Sequence, residues 1–347
     1  MVVATSKSYA WCKTQLPPCC LRIHPEDTSR IYVGTYKLDE ASRVKHGSLD
    51  HYNYNTTTRE LTLVESHRTP SAILDIKFDP RDSSTLASAH SNGHLMVWKT
   101  HGDQLEMVDD IALNETSLIT SLVFNPSAAK EVLVTFTSGY SAIIDLARPK
   151  TLRWLDSVHE LECWTGAFGE VGGLQNVVFT GGDDSRLVAH DLRTQGEIWT
   201  VKRGHDAGVV SIMTSSARWN RGMSNGLWTG SYDDHLRVWD LRCANSSLVE
   251  GVVPKMLHSR NLGGGVWRLV PSPMDDRLLS CCMYDGARVV DASTPEFKVE
   301  RYFKGKHESM CYGGDWSRDG SYIATCSFYD NIVHVWSPDE VEEEKKH

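Results

Sequence analysis

The chain has 347 residues, 36 basic against 45 acidic side chains, a formal net charge of −9 and 40% hydrophobic content. That acidity argues against nucleic acid or an anionic membrane surface as the main partner, since both select a basic footprint. The nine cysteines have no regular spacing, include the adjacent pairs Cys19–Cys20 and Cys281–Cys282, and form no C-x-x-C pair, which speaks against a disulfide framework and a structural zinc site.

The opening residues MVVATSKSYAW lack the apolar run of a signal peptide. No stretch of about 18 apolar residues follows. The expectation is a cytoplasmic protein, with the nucleus as the alternative, whose thiols are reduced.

Along the chain, short β-rich runs recur: DHYNYN, HLMVWKT, SAIIDLA, RLVAHDLR, HLRVWDLR, ARVVDAS and IVHVWSPD. Their last aromatic or apolar positions are Tyr54, Trp98, Ile144, His190, Trp239, Val290 and Trp336, separated by 44, 46, 46, 49, 51 and 46 residues. A period in this range is that of a four-stranded propeller blade, and seven anchors make seven blades. Six residues before the anchor stand Asn92, Ser138, Asp184, Asp233 and Asp330, with Asp285 one residue closer in blade six. A carboxylate there pins a tight turn between two strands. A third landmark is a histidine ahead of the innermost strand: His67, His159, His205, His258 and His307. The agreement of these registers predicts an all-β, seven-bladed WD40 β-propeller occupying residues 1–337. Residues 9–16 are expected to supply the last blade's missing strand, which removes an open edge. The charged segment 338–347 is expected to be a disordered tail.

A propeller is a scaffold, so function is sought where its turns create a surface. The position just before each turn residue holds Ser91, Thr137, Asp183, Tyr232, Tyr284 and Tyr329. A neighbouring slot at the start of the innermost strand holds Leu74, Thr120, Trp164, Val210, Trp267 and Tyr312. Blades four to seven thus carry six large aromatics and one carboxylate, whereas blades two and three carry none. Aromatics also serve as ordinary strand residues. Their shared, rim-facing slot suits a cationic ligand, which ring faces attract by roughly 0.5–2 kcal/mol each. Arg268, next to Trp267, adds a donor for a carbonyl or carboxylate. His205 and His307 stand where each would bond its blade's turn carboxylate, Asp233 or Asp330, and so belong to the scaffold; an imidazole so oriented is also a possible base. Asp184, Trp239 and Trp336 are read as structural.

Two nucleophile signals are weak. Gly222–Gly226 fits G-x-S-x-G around Ser224, but that motif works only as a strained turn between strand and helix. Cys282, Cys311 and Cys326 show no sign of a lowered pKa.

The stretches GGDDSRLVAHDLR, GHDAGVVSI, TGSYDDHLRVWDLR, GGGVWRL, YGGDWS and ATCSFYDNIVHVW, over roughly residues 160–336, together with VGTYKLD at 33–39, resemble the diphthine methyl ester hydrolase family of diphthamide biosynthesis. The resemblance implies an esterase without a cofactor that removes the methyl ester from methylated diphthine on elongation factor 2, giving diphthine and methanol. Other proteins of that route are further possible partners. The implied substrate carries a trimethylammonium group, which agrees with the aromatic rim. Ester hydrolysis needs a base for water and donors for the oxyanion. Asp183 or His307 could be the base and Arg268 or Tyr312 the donor. The competing reading is a non-catalytic adaptor: Trp239-Asp240-Leu241-Arg242 fits the W-D-x-R box of cullin-ligase substrate receptors, and His190-Asp191-Leu192-Arg193 nearly does.

Overall fold

The computed structural model describes residues 3–148, 152–194, 196–242 and 251–343. Seven antiparallel sheets follow one another along the chain. The first pairs Pro18–Ile23, Arg30–Thr35, Lys45–Asn55 and Glu60–Thr69, with the short strand Lys37–Leu38 folded onto its third member. Four sheets of four strands follow, each running from an innermost strand (Ile73–Asp79, Ile119–Phe124, Cys163–Phe168, Val209–Thr214) to an outermost one (Gln104–Ala112, Leu152–Trp154, Glu197–Val201, Lys255–Asn261). The sixth runs from Arg268–Pro271 to Lys298–Phe303. The seventh takes Cys311–Trp316, Ile323–Ser327 and Ile332–Val341 from the end of the chain.

The fourth strand of the seventh blade is Ala4–Lys13, antiparallel to Ile332–Val341. The N-terminal segment therefore completes the blade that holds Trp336, starting earlier and ending sooner than 9–16. Its first residues also pair in parallel with blade six, Ala4 with Arg301 and Thr5 with Tyr302. The charged segment after 337 departs from expectation. The last strand continues to Val341, because Glu340 accepts bonds from Lys7 Nζ (2.7 Å) and Tyr9 Oη (2.6 Å) on the N-terminal strand. A charged sequence can be an edge strand when its neighbour supplies partners on the wet side. Residues 344–347 lie outside the described residues.

Contacts divide the chain into two compact units. One holds blades one, six and seven (residues 1–73 and 267–347); the other holds blades two to five (residues 74–266). Within each, blades pack through alternating buried residues. Phe179, Leu187, Trp199, Val209, Leu227 and Trp239 join blades four and five; Tyr52, Tyr54, Tyr322, Val333 and Val335 join blades one and seven.

Inside a blade, a buried hydroxyl of the second strand is held from two sides. Thr229 Oγ1 accepts from Trp239 Nε1 (2.9 Å) and bonds His205 Nε2 (2.9 Å). Thr325 Oγ1 does the same with Trp336 (3.1 Å) and His307 (2.9 Å). In blade four His190 replaces the tryptophan, and Thr180 Oγ1 meets His190 (2.9 Å) and His159 (3.0 Å). In blade two Ser88 Oγ meets Trp98 (2.8 Å) and His90 (2.7 Å). His67, the expected landmark there, pairs with Glu65 instead (2.7 Å).

Burial pushes His190 and His205 down to about 3 and His334 to about 4. An unfolded chain takes up protons at these sites below its ordinary imidazole pKa of about 6.5, whereas the folded chain refuses them. The contribution of these three sites to stability is therefore complete above pH 6.5 and is lost progressively as pH falls toward 3. Melting temperature should fall steadily from pH 6.5 to 4. His190→Gln, which keeps an amide toward Thr180 without a titrating ring, should flatten that slope.

Candidate functional site

In the unit of blades two to five, the expected rim residues of blades four and five converge. Trp164 lies in the innermost strand of blade four, and Asp183 follows that blade's second strand. Tyr232 follows the second strand of blade five, and Gly208 precedes that blade's innermost strand. The Trp164 Nε1–H donates to Asp183 Oδ1 (3.0 Å). The Asp183 amide donates to Glu162 O (2.8 Å) and the Tyr232 amide to Gly208 O (3.0 Å), so the backbone fixes both turns. A Cβ on Gly208 would stand 2.7 Å from Asp183 Oδ1 and 3.1 Å from Tyr232 Cδ2. Carboxylate and phenol ring therefore both pack closely against the Gly208 backbone, an approach that a residue with a side chain would block. Burial first, then the charges of Asp183 and Glu162, push the Tyr232 phenol well above its ordinary range, so it is protonated at neutral pH. Trp164, Asp183, Tyr232 and Glu162 are all partly exposed. Sequence reasoning missed Glu162 and Gly208. The G-H-D-A-G run before blade five was the only hint of the second.

In the unit of blades one, six and seven, a second aromatic group forms. Trp267 and Tyr312 have ring centroids 4.8 Å apart, Tyr312 meets Phe328 at 5.7 Å, and Phe328 meets Tyr36 at 6.1 Å and Tyr329 at 4.9 Å. Phe328 and Tyr36 were not foreseen, although both stand in stretches, CSFYDN and VGTYKLD, that the sequence singles out. The Tyr312 hydroxyl is turned to Met310 Sδ, which commits its proton away from any ester. Arg268 is partly buried, and its charge is felt by Cys326. Tyr284 and Tyr329 are 60% and 71% exposed, so they stand out from the surface rather than walling an enclosed site.

Comparison with known proteins adds a family to this geometry. The WD domain, G-beta repeat family matches residues 298–337. The mitotic checkpoint complex contains a chain of the same fold, with a TM-score of 0.73, 14% identity, and coverage of 97% of this chain and 93% of that one. Diphthine methyltransferase of Saccharomyces cerevisiae is 42% identical over 93% of this chain and 96% of its own length. The protein of the same name from Schizosaccharomyces pombe is 35% identical over 88% of this chain and 90% of its own. The chain belongs to the diphthine methyltransferase family. Its fold is that of a seven-bladed WD40 propeller, and its curated relatives are named as enzymes.

In this family member the expected second base is inside the scaffold. His307 is 1% exposed, its Nε2 bonds Thr325, and burial holds it far below the ordinary imidazole range. The expected bond to Asp330 is not made. Asp330 Oδ2 accepts from the Glu308 amide (2.7 Å) and Ser327 Oγ (2.9 Å), and His307 Nδ1 has no partner among the described residues. In blade five, Arg237 takes both oxygens of Asp233 (2.9 and 2.7 Å), which displaces His205 from that carboxylate. Only His159 reaches its turn carboxylate among these three, with Nδ1 2.9 Å from Asp184 Oδ1. The spacing His90–His94 is not a ligand pair, since His94 turns to Asp110 (2.7 Å) and His90 to Ser88.

Ser224 caps a single 3-10 turn, Arg221–Met223, with ordinary right-handed dihedrals (φ −55°), so no strained elbow presents its hydroxyl. The W-D-x-R arginines fold back on their own strands. Arg242 clasps Asp240 (2.9 and 2.6 Å), Arg193 clasps Asp191 (2.9 and 2.5 Å), and Arg148 clasps Asp145 in the same way where no box exists. The three candidate thiols are buried and held protonated. Burial pushes Cys282 up to about 12; Cys326 rises for the same reason; Cys311 rises through its bond to Cys281 and its burial. Native protein should therefore show all three reacting with a charged disulfide reagent at least about a thousandfold more slowly than free cysteine, with full reactivity on unfolding. Peptide mapping after a timed pulse checks this.

Proposed function

We propose that the chain is a carboxylic ester hydrolase that removes the methyl ester from methylated diphthine on elongation factor 2. The reading rests on one observation: a partly exposed carboxylate, Asp183, is oriented by an indole N–H and shares the close approach to Gly208 with the ring of Tyr232. The relatives' name identifies diphthine and a methyl group as what is handled. What the reading adds is the direction, with water as the attacking group.

Asp183 then takes a proton from water as the oxygen adds to the ester carbonyl. The tetrahedral intermediate collapses to a carboxylic acid, methoxide leaves with that proton as methanol, and the acid gives its own proton to solvent to become the carboxylate. An oxyanion needs a donor close to the base. Tyr232, whose protonated phenol ring packs on the same glycine as Asp183, fits this role better than Tyr312, whose hydroxyl is already turned to Met310. The faces of Trp164 and Tyr232 suit the trimethylammonium group, each by roughly 0.5–2 kcal/mol.

The wild-type protein, incubated with elongation factor 2 carrying methylated diphthine, should remove one CH2 from the mass of the modified peptide and release methanol. Asp183→Asn should keep the wild-type melting temperature and lose on the order of 100-fold or more in rate. His307→Ala should behave differently. It empties part of a buried bracket and should cost about 2 kcal/mol or more of stability, seen as a lowered melting temperature. An Asp183→Asn variant as active as wild type removes Asp183 as the base.

A further inference from the structure

Beside the Trp164–Asp183 pair lies an apolar surface that the sequence reading placed on the empty side of the molecule. Tyr140, Trp154, Val158 and Leu161 are 46%, 38%, 36% and 51% exposed. They belong to one patch. Tyr140 meets Trp154 edge-on at 5.9 Å, and Trp154 rests on the buried ring of Phe136 at 5.6 Å. The turn carrying Tyr140 lies against the segment carrying Val158 and Leu161. The His159 amide donates to Gly139 O (3.1 Å), and a Cβ on Gly139 would collide with His159 O and Leu161 O at 2.2 and 2.8 Å.

This patch continues into the candidate site along the backbone. Leu161 is followed by Glu162, whose carbonyl receives the Asp183 amide, and then by Trp164, whose indole holds the Asp183 carboxylate. The segment is also acidic. Asp156 and Glu160 are exposed, Glu160 with one oxygen on Arg186 (2.5 Å), Glu162 is partly exposed, and these alternate with the apolar residues in DSVHELECW. An exposed cluster of aromatic and aliphatic side chains bounded by carboxylates is an interaction surface rather than ordinary exterior.

We infer that Tyr140, Trp154, Val158 and Leu161 form the docking surface for the protein that carries the reacting side chain, which meets it with a basic surface tipped by apolar residues. The inference rests on the esterase reading for the identity of the occupant. The patch borders the carboxylate, so a macromolecule that delivers one side chain to Asp183 must cover what lies next to it. The acidic border selects a cationic partner and speeds encounter at low salt.

The test uses the full chain with Tyr140→Ser and Leu161→Asp, two exposed positions outside the catalytic group. Each is assayed on intact methylated-diphthine elongation factor 2 and on a short peptide bearing the same modified histidine. Expected are at least a tenfold rise in KM for the protein substrate with kcat unchanged, unaltered hydrolysis of the peptide, and an unchanged melting temperature. Equal KM values for wild type and variants on the protein substrate overturn the inference. So does a wild-type dimer that the variants convert to monomer without any change in KM, because a second copy is then the occupant. If the wild type hydrolyses neither substrate, the esterase reading fails. Equilibrium binding of unmodified elongation factor 2 then decides the docking surface alone: tenfold weaker binding by both variants supports it, and equal binding removes it.

Discussion

Blades two, four, five and seven each depend on a hydroxyl buried in the second strand. Thr180, Thr229, Thr325 and Ser88 each meet two ring nitrogens, one from the third strand and one from a histidine. A buried hydroxyl left unbonded would cost on the order of 1–3 kcal/mol, so the ring donors cannot be exchanged freely. The bracket ties the chain ahead of the blade to the blade's middle, which sets where each turn emerges. It also removes the histidines from chemistry: buried, neutral and bonded, His205 and His307 are framework. What the rim can offer a ligand comes from the residues next to the turn, which the bracket positions but does not use.

This explains why the sequence was legible in some places and opaque in others. The blades could be counted because a strand-end anchor and a turn residue recur at a nearly fixed separation, and in four of them the bracket demands a ring at that anchor. The rim slots followed from that register, so Trp164, Asp183 and Tyr232 could be named as neighbours. The histidine–carboxylate bonds could not be assigned in the same way. Whether Asp233 meets His205 is decided by Arg237, four residues on, which offers a bidentate charged partner and wins. Glu162, Gly208 and Phe328 were invisible for a related reason: their importance lies in which loop comes to rest against which, and no period encodes that. The segment after 337 was misjudged because its charges were read as solvated, whereas Lys7 and Tyr9 answer them across the last ladder.

The two strand-end arginines show how a short motif can arise without a partner. Arg242 and Arg193 are largely exposed, yet each clasps the aspartate two residues before it, and Arg148 does likewise from three residues on. A third-strand aspartate followed by a turn gives this geometry by itself. The close packing on Gly208 has no such local cause, since it needs two different blades to bring Asp183 and Tyr232 to one glycine.

The strand Ala4–Lys13 has a consequence for how the protein is made. Its ladder partner, Ile332–Val341, is made long after it, and the Ser8–His334 contact spans 326 residues of chain. Blades one to five can form as they emerge, but the first strand must wait with its edge unpaired until Ile332–Val341 has been made. Closing so long a loop adds little free-energy cost per added residue, yet it delays the final step and leaves a sticky edge in the nascent chain. Lys7 and Lys13, which place charges on either side of the exposed Trp11 of that waiting strand, are suited to keeping it from pairing with the wrong neighbour.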